Sequence, residues 1–202
     1  MRTNTLCVVL SLWVCLLVGC GQPKLSPLTS DDVIVAFGDS LTVGVGVDAS
    51  DSYPTALSRL TGMTVISAGV SGETTQEGLA RFPEVIEQHQ PDLIVLLEGG
   101  NDILRNRSSQ QTEQNLSEMV EIAVQSNIDV VLIGVPEKRL LSDSAPFYDR
   151  IAEQYDLVYE PDVIGQLMRD ASKKSDPIHF NRDGYAALAQ RVYELLSENG
   201  AL

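Results

Sequence analysis

A serine, a glycine, an asparagine and a histidine with an aspartate three residues before it stand in four short segments of this chain, and together they hold the parts of an acyl-transfer site. The segments are Phe37-Gly38-Asp39-Ser40-Leu41, Val70-Ser71-Gly72, Gly99-Gly100-Asn101-Asp102 and Asp176-Pro177-Ile178-His179. Ser40 offers a hydroxyl nucleophile, which needs a base to take its proton. His179 is such a base, and at a spacing of three residues one turn brings Asp176 to the same side. The aspartate can then accept from one ring nitrogen and leave the other for the serine. A tetrahedral intermediate carries negative charge on the former carbonyl oxygen, and fixed uncharged donors stabilise it. A backbone N–H at Gly72, which no side chain obstructs, and the side-chain amide of Asn101 are the candidate donors.

Each piece also has a plainer reading. Gly-Asp-Ser is a common turn sequence, Gly72 reads equally as a turn glycine, and Asn101 reads as a helix cap before Ile103. A loop histidine such as His179 is, taken alone, more often structural than catalytic, and only the joint occurrence of all four segments reverses that balance. The second histidine, His89, ends a polar helical stretch and reads as a cap or a solvated residue. Gly38-Asp39-Ser40-Leu41-Thr42 lacks the second glycine of the α/β-hydrolase elbow, and Asp176 and His179 are too close in sequence for that fold's triad order.

The four segments, in this order, resemble the SGNH (GDSL-type) hydrolase family, from about residue 33 to the C-terminus. With Gly-Gly-Asn-Asp and Asp-x-x-His both intact, they look most like its bacterial thioesterase, lysophospholipase and arylesterase branch. The resemblance implies a serine esterase that forms an acyl-enzyme on Ser40, with His179 relaying the proton, Asp176 holding the imidazole, and the amides of Ser40 and Gly72 joining Asn101 in the oxyanion hole. It implies no cofactor. It also implies structural roles for Asp39 and Asp102, and a small-molecule ester as partner: a lysophospholipid, acyl or aryl ester, since an exported protein does not meet coenzyme A thioesters. Two rival readings are a carbohydrate or cell-wall O-acetyl esterase, and a non-catalytic surface-binding lipoprotein, whose hallmark would be a missing catalytic residue.

The elements that must carry these residues are legible from periodicity. Apolar runs at Val33–Phe37, Thr64–Ser67, Asp92–Leu97, Val130–Val135 and, more weakly, Leu157–Tyr159 are apolar on successive residues, as buried parallel strands are. Helical patterns fall at Tyr53–Leu60, Thr75–Gln88, Gln111–Ser126, Phe147–Gln154, Val163–Ala171 and Asp183–Ser197. This alternation predicts a doubly wound, flavodoxin-like α/β domain with a parallel sheet of about five strands and helices on both faces. Ligands of such domains bind beyond the carboxyl ends of the strands, where Ser40, Gly72 and Asn101 all fall. Specificity is expected from two loops, Glu73–Gly78 and Pro136–Pro146 with Leu140 and Leu141. Ile103, Leu104, Ile178 and Phe180 beside them suggest an acyl-chain groove, with core packing as the alternative.

At the N-terminus one positive charge precedes a thirteen-residue apolar run, Leu6 to Val18, too short to span a bilayer and suited to a secretory leader. Leu17-Val18-Gly19-Cys20 resembles a bacterial lipobox, and Gly21 rather than aspartate follows it. The expected organisation is therefore a lipoprotein signal peptide (1–19), a lipidated tether (20–31) and the hydrolase domain (32–202), exported and anchored on the periplasmic face of a bacterial envelope by lipid on Cys20. An ordinary cleaved leader is the alternative. All three cysteines, Cys7, Cys15 and Cys20, lie in or beside the leader, so the domain has no disulfide framework. Fourteen basic residues against 28 acidic ones give a net charge of −14, which argues against nucleic acid and leaves no basic patch for anionic lipid. Two distant histidines and a cysteine-free domain give no metal site.

Overall fold

The computed structural model describes residues 24–138 and 143–202. Five strands, β1 (Val33–Gly38), β2 (Thr64–Gly69), β3 (Leu93–Leu97), β4 (Asp129–Ile133) and β5 (Val158–Glu160), form one parallel sheet in the order β2-β1-β3-β4-β5. In register, Val35 lies between Ile66 and Ile94, and Ile94 faces Val130. This is the doubly wound order with its switch point between β1 and β3, as the alternation of apolar runs predicts.

The helices are α1 (Ser40–Val43), α2 (Tyr53–Thr61), α3 (Thr75–His89), α4 (Gly100–Leu104), α5 (Ser109–Gln125), α6 (Pro146–Gln154), α7 (Val163–Arg169) and α8 (Arg182–Glu198). α2 packs on α8, while α3 packs on α5 and α5 on α6. Right-handed crossovers put these two groups on opposite faces, because the chain winds one way from β1 to β2 and the other way from β2 through β5. Local signals set the ends. Thr74 and Glu77 form a reciprocal capping box at the start of α3, and Asn181 accepts from the Gly184 N–H to cap α8.

Three expectations need correction. β2 is not buried on both faces: Thr64 and Ser67 are exposed and Val65 and Ile66 half-buried, because the strand lies at the sheet edge. The segment Glu73–Gly78 is not a specificity loop. Most of it is the first turn of α3, where Gly78 packs against Phe37 and Met119, and Glu73 is buried in an ion pair with Arg81 at 2.5 Å. Residues 24–31 do not hang off the body as a tether. Leu25 is buried, its N–H donates to the Asn199 carbonyl, the Leu28 N–H donates to Ala201, and the Ser26 N–H donates to Asp129 at 2.6 Å. The two leucines anchor this otherwise polar stretch against the edge at which the strands begin.

Candidate active site

The site lies at the carboxyl ends of β1 and β3. β1 runs into Asp39 and Ser40, and Asp39 caps α1: its Oδ1 accepts from the Leu41 N–H at 3.0 Å. Gly38 has to be glycine, because a Cβ there would collide with the Leu97 carbonyl of the neighbouring strand. Ser40, the first residue of α1, is 8% exposed.

His179 reaches this point from the loop before α8. Its Nε2 lies 3.0 Å from Ser40 Oγ, and its Nδ1 lies 2.7 Å from Asp176 Oδ2. Asp176 builds the loop as well as facing the ring, since its Oδ1 accepts from the backbone N–H groups of Ile178 and His179, each at 2.8 Å. The His179 N–H and ring, with the Ile178 N–H, hold the Asp176 carboxyl down at about 2, so it stays ionised across the working pH range. An ionised acceptor at Nδ1 keeps the proton on that nitrogen and leaves the Nε2 lone pair for the serine.

Gly72 follows β2 with φ of 81°, a left-handed conformation that favours glycine; a Cβ would meet only Arg105 Nη2, at 3.5 Å, so conformation rather than space selects it. Arg105 donates to the Gly72 carbonyl at 2.7 Å and pins this turn to the end of α4. Asn101 is in the first turn of α4, which Gly99 caps, and its Nδ2 donates to Asp39 Oδ2 at 3.0 Å. Asp102 braces the surroundings: it accepts from the N–H and hydroxyl of Thr75, both at 2.8 Å, and from Thr112.

Ser40, Gly72, Asn101 and His179 line a single cleft of about 550 Å³, together with Asp39. Its apolar wall is Ile103, Leu104, Val135, Pro136, Met168 and Ile178, with Lys138 and Lys174 at the rim. Ile103, Leu104 and Ile178 thus face the site as the groove reading requires. Phe180 does not: it is fully buried, edge-on to Tyr185. Leu140 and Leu141 lie outside the described residues, as does Cys20. Sequence reading passes over Val135 and Met168, the one at the end of the apolar run Val130–Val135 and the other within the helical stretch Val163–Ala171. It also passes over Glu98, buried beside Gly99 with Oε1 accepting from the Gly99 N–H and Oε2 without a hydrogen-bond partner. Burial, with Asp39 nearby, pushes the Glu98 carboxyl well up. Among the described residues no group of three or more His, Cys, Asp or Glu can hold a metal ion.

The family model described as GDSL-like Lipase/Acylhydrolase family matches residues 36–187. The chain is 32% identical over 166 residues to thioesterase 1/protease 1/lysophospholipase L1 of Escherichia coli (strain K12), covering 78% of this chain and 80% of that one. It is 35% identical over 127 residues to an arylesterase of Vibrio mimicus, covering 59% and 64%. Among solved structures, AlinE4, an SGNH-hydrolase family esterase, superposes with a TM-score of 0.66 at 31% identity, covering 85% of this chain and 97% of that one. With the serine and imidazole in hydrogen-bond contact at the switch point of this sheet, the chain is a serine esterase belonging to the GDSL-like lipase/acylhydrolase family.

Proposed function

We propose that the substrates are carboxylic esters with an apolar acyl or aryl part, lysophospholipid, acyl or aryl esters, and that catalysis runs through an acyl-enzyme on Ser40. His179 Nε2 takes the Ser40 proton as Oγ attacks the carbonyl carbon, and Asp176 stabilises the imidazolium that forms. The N–H groups of Ser40 and Gly72 and the Asn101 amide receive the oxyanion. His179 returns the proton to the leaving alcohol, then activates the water that hydrolyses the acyl-enzyme.

The observation that carries the substrate reading is the cleft. Its volume, about 550 Å³, is that of a pocket for a drug-sized ligand, and its wall beside Ser40 is aliphatic. The names of the relatives, a lysophospholipase and an arylesterase, point the same way. An acetyl group would leave that wall facing water, which weighs against the deacetylase reading. Rates of the purified domain on esters of increasing chain length test it: kcat/KM should rise from C2 to C8, and a maximum at C2 would replace this reading with acetyl-ester hydrolysis.

We further propose that residues 1–19 are a lipoprotein leader, that Cys20 carries lipid after its removal, and that the domain from residue 32 works outside the cytoplasm. Support comes from the lipobox-like junction and from the confinement of every cysteine to residues 1–20. Among the described residues no helix is long and apolar enough to cross a membrane, so attachment would rest on the lipid.

A further inference from the structure

The steps above give Asp39 no chemical task, yet it joins two parts of the site. The residue is 6% exposed; Oδ1 caps the helix that carries Ser40, and Oδ2 accepts from Asn101 Nδ2. A carboxylate has no hydrogen to give, so the Asn101 group that faces it must be the NH2 and not the carbonyl. That contact engages one amide hydrogen and leaves the second for an oxyanion. We propose that Asp39 is a positioning residue for the oxyanion site: its ionised carboxylate holds the Asn101 amide nitrogen in donor orientation, and neutralising it frees the amide to turn over. A protonated aspartate, or an asparagine in its place, can donate to the Asn101 carbonyl as well as accept from its NH2, so the orientation is no longer dictated.

This makes the oxyanion site sensitive to pH. Burial raises the Asp39 carboxyl to about 6, against the Leu41 N–H and the nearby His179, which lower it. The groups that face it are His179 in the loop before α8, Glu73 ahead of α3, Asp102 on α4, Glu98 after β3, and the phenols of Tyr53, Tyr148 and Tyr185. Arg81 of α3 reaches the Gly38 carbonyl but is paired with Glu73.

The test is a double-mutant cycle of Asp39→Asn and Asn101→Ala, with kcat measured at pH 8, above the Asp39 ionisation. Asp39→Asn alone should lower kcat at least tenfold, toward the ~10²–10³-fold that loss of an oxyanion donor costs. On the Asn101→Ala background the same change should cost no more than about twofold. An equal loss on both backgrounds would show that Asp39 acts elsewhere and overturn the proposal. The pH profile supplies a second readout: as pH falls through the Asp39 ionisation, log kcat of the wild type should drop further than that of Asn101→Ala, by about the one to three units that Asp39→Asn costs. The same drop in both would also overturn it.

A separate observation concerns which way the site faces. Leu25, Ser26 and Leu28 are fastened to Asn199, Asp129 and Ala201, at the edge where the strands begin, whereas Ser40, Gly72, Asn101 and His179 gather where they end. The six residues of β1 separate these edges by ~20 Å. We infer, on the lipid-anchor reading above, that the strand-start edge is the membrane-facing surface and that the cleft opens away from the anchoring bilayer. From Cys20 to Lys24 is four residues, at most ~14 Å of chain, too short to turn the far edge onto its own membrane. The substrate is then an ester arriving from the compartment, not a lipid of the anchoring leaflet. Mature lipidated protein, in which lipid occupies Cys20 and the introduced thiol takes a dye at Asp31→Cys or Leu104→Cys, bound to phosphatidylethanolamine–phosphatidylglycerol vesicles with a headgroup acceptor, tests this. Stronger energy transfer from position 31 than from 104 is expected; equal or reversed transfer refutes the orientation. Protein that fails to sediment with vesicles refutes the anchor itself.

Discussion

Replacing Asp176 by asparagine is the most demanding perturbation, because it preserves shape and exchanges one carboxylate oxygen for an NH2. Asp176 Oδ1 accepts from two backbone N–H groups, and an asparagine carbonyl in the same place can keep both. The amide nitrogen then replaces Oδ2, 2.7 Å from His179 Nδ1, and donates where the carboxylate accepted. The ring can satisfy it only by giving up the Nδ1 proton and carrying it on Nε2, which then points a hydrogen at Ser40 Oγ and cannot take one. A triad with its aspartate so changed loses ~10⁴ in turnover, about 5 kcal/mol of transition-state stabilisation at 1.36 kcal/mol per decade. The loop keeps its two backbone bonds, so the melting temperature should move little. The assay is kcat on a chromogenic ester with ¹⁵N spectra of the imidazole, compared with Asp176→Ala, which loses the loop bonds but imposes no tautomer. Asp176→Asn within about tenfold of wild type would refute the claim that the carboxylate sets the tautomer.

Other perturbations have signs fixed by the same geometry. Asn101→Ala should lower kcat by ~10²–10³ with KM nearly unchanged, measured on a soluble ester, since the amide acts on charge that develops only in the transition state. Burial pushes the Asp39 carboxyl up to about 6 in the fold, from 3.8 in an unstructured chain. Between those values the native state holds a proton that the unfolded chain has released, so stability falls as pH rises through the window. About 3 kcal/mol has been lost by pH 7. Asp39→Asn should therefore remove this slope from urea-melt midpoints between pH 4 and 6, and be relatively more stable at pH 7 while less active. Leu25→Ala should destabilise the domain by about 2 kcal/mol in urea melts, as expected for a buried leucine and not for a tether. Cys20→Ser should move the protein from the membrane to the soluble fraction.

Much of the fold was readable because its signals are local. β1, β3 and β4 are continuous apolar runs, and α3 and α8 open on side-chain caps that sequence displays. α1 and α4 were not readable: four and five residues carry no periodicity, and their residues, Ser40-Leu41-Thr42-Val43 and Gly100-Asn101-Asp102-Ile103-Leu104, look like turns. The same two helices bring Ser40 and Asn101 to one cleft, so the residue types of the site were legible and their mutual placement was not. The buried carboxyl groups of Asp39 and Glu98 were invisible for a related reason. Their environment comes from tertiary packing under the Gly99-Gly100 turn, and sequence alone makes an acidic residue look solvated. The docking of residues 24–31 did leave a trace, Leu25 and Leu28 three apart, but Pro27 and the five polar residues around them masked it.

The account depends on an imidazole that accepts a proton from one particular hydroxyl. A fluorophosphonate, which reports only an activated serine, tests this directly when its adduct is located by peptide mass spectrometry in wild-type and His179→Ala protein. A single adduct on Ser40 in the wild type, formed orders of magnitude more slowly in the variant, is the predicted result. An adduct on another residue, or labelling of Ser40 at an unchanged rate without His179, would contradict it.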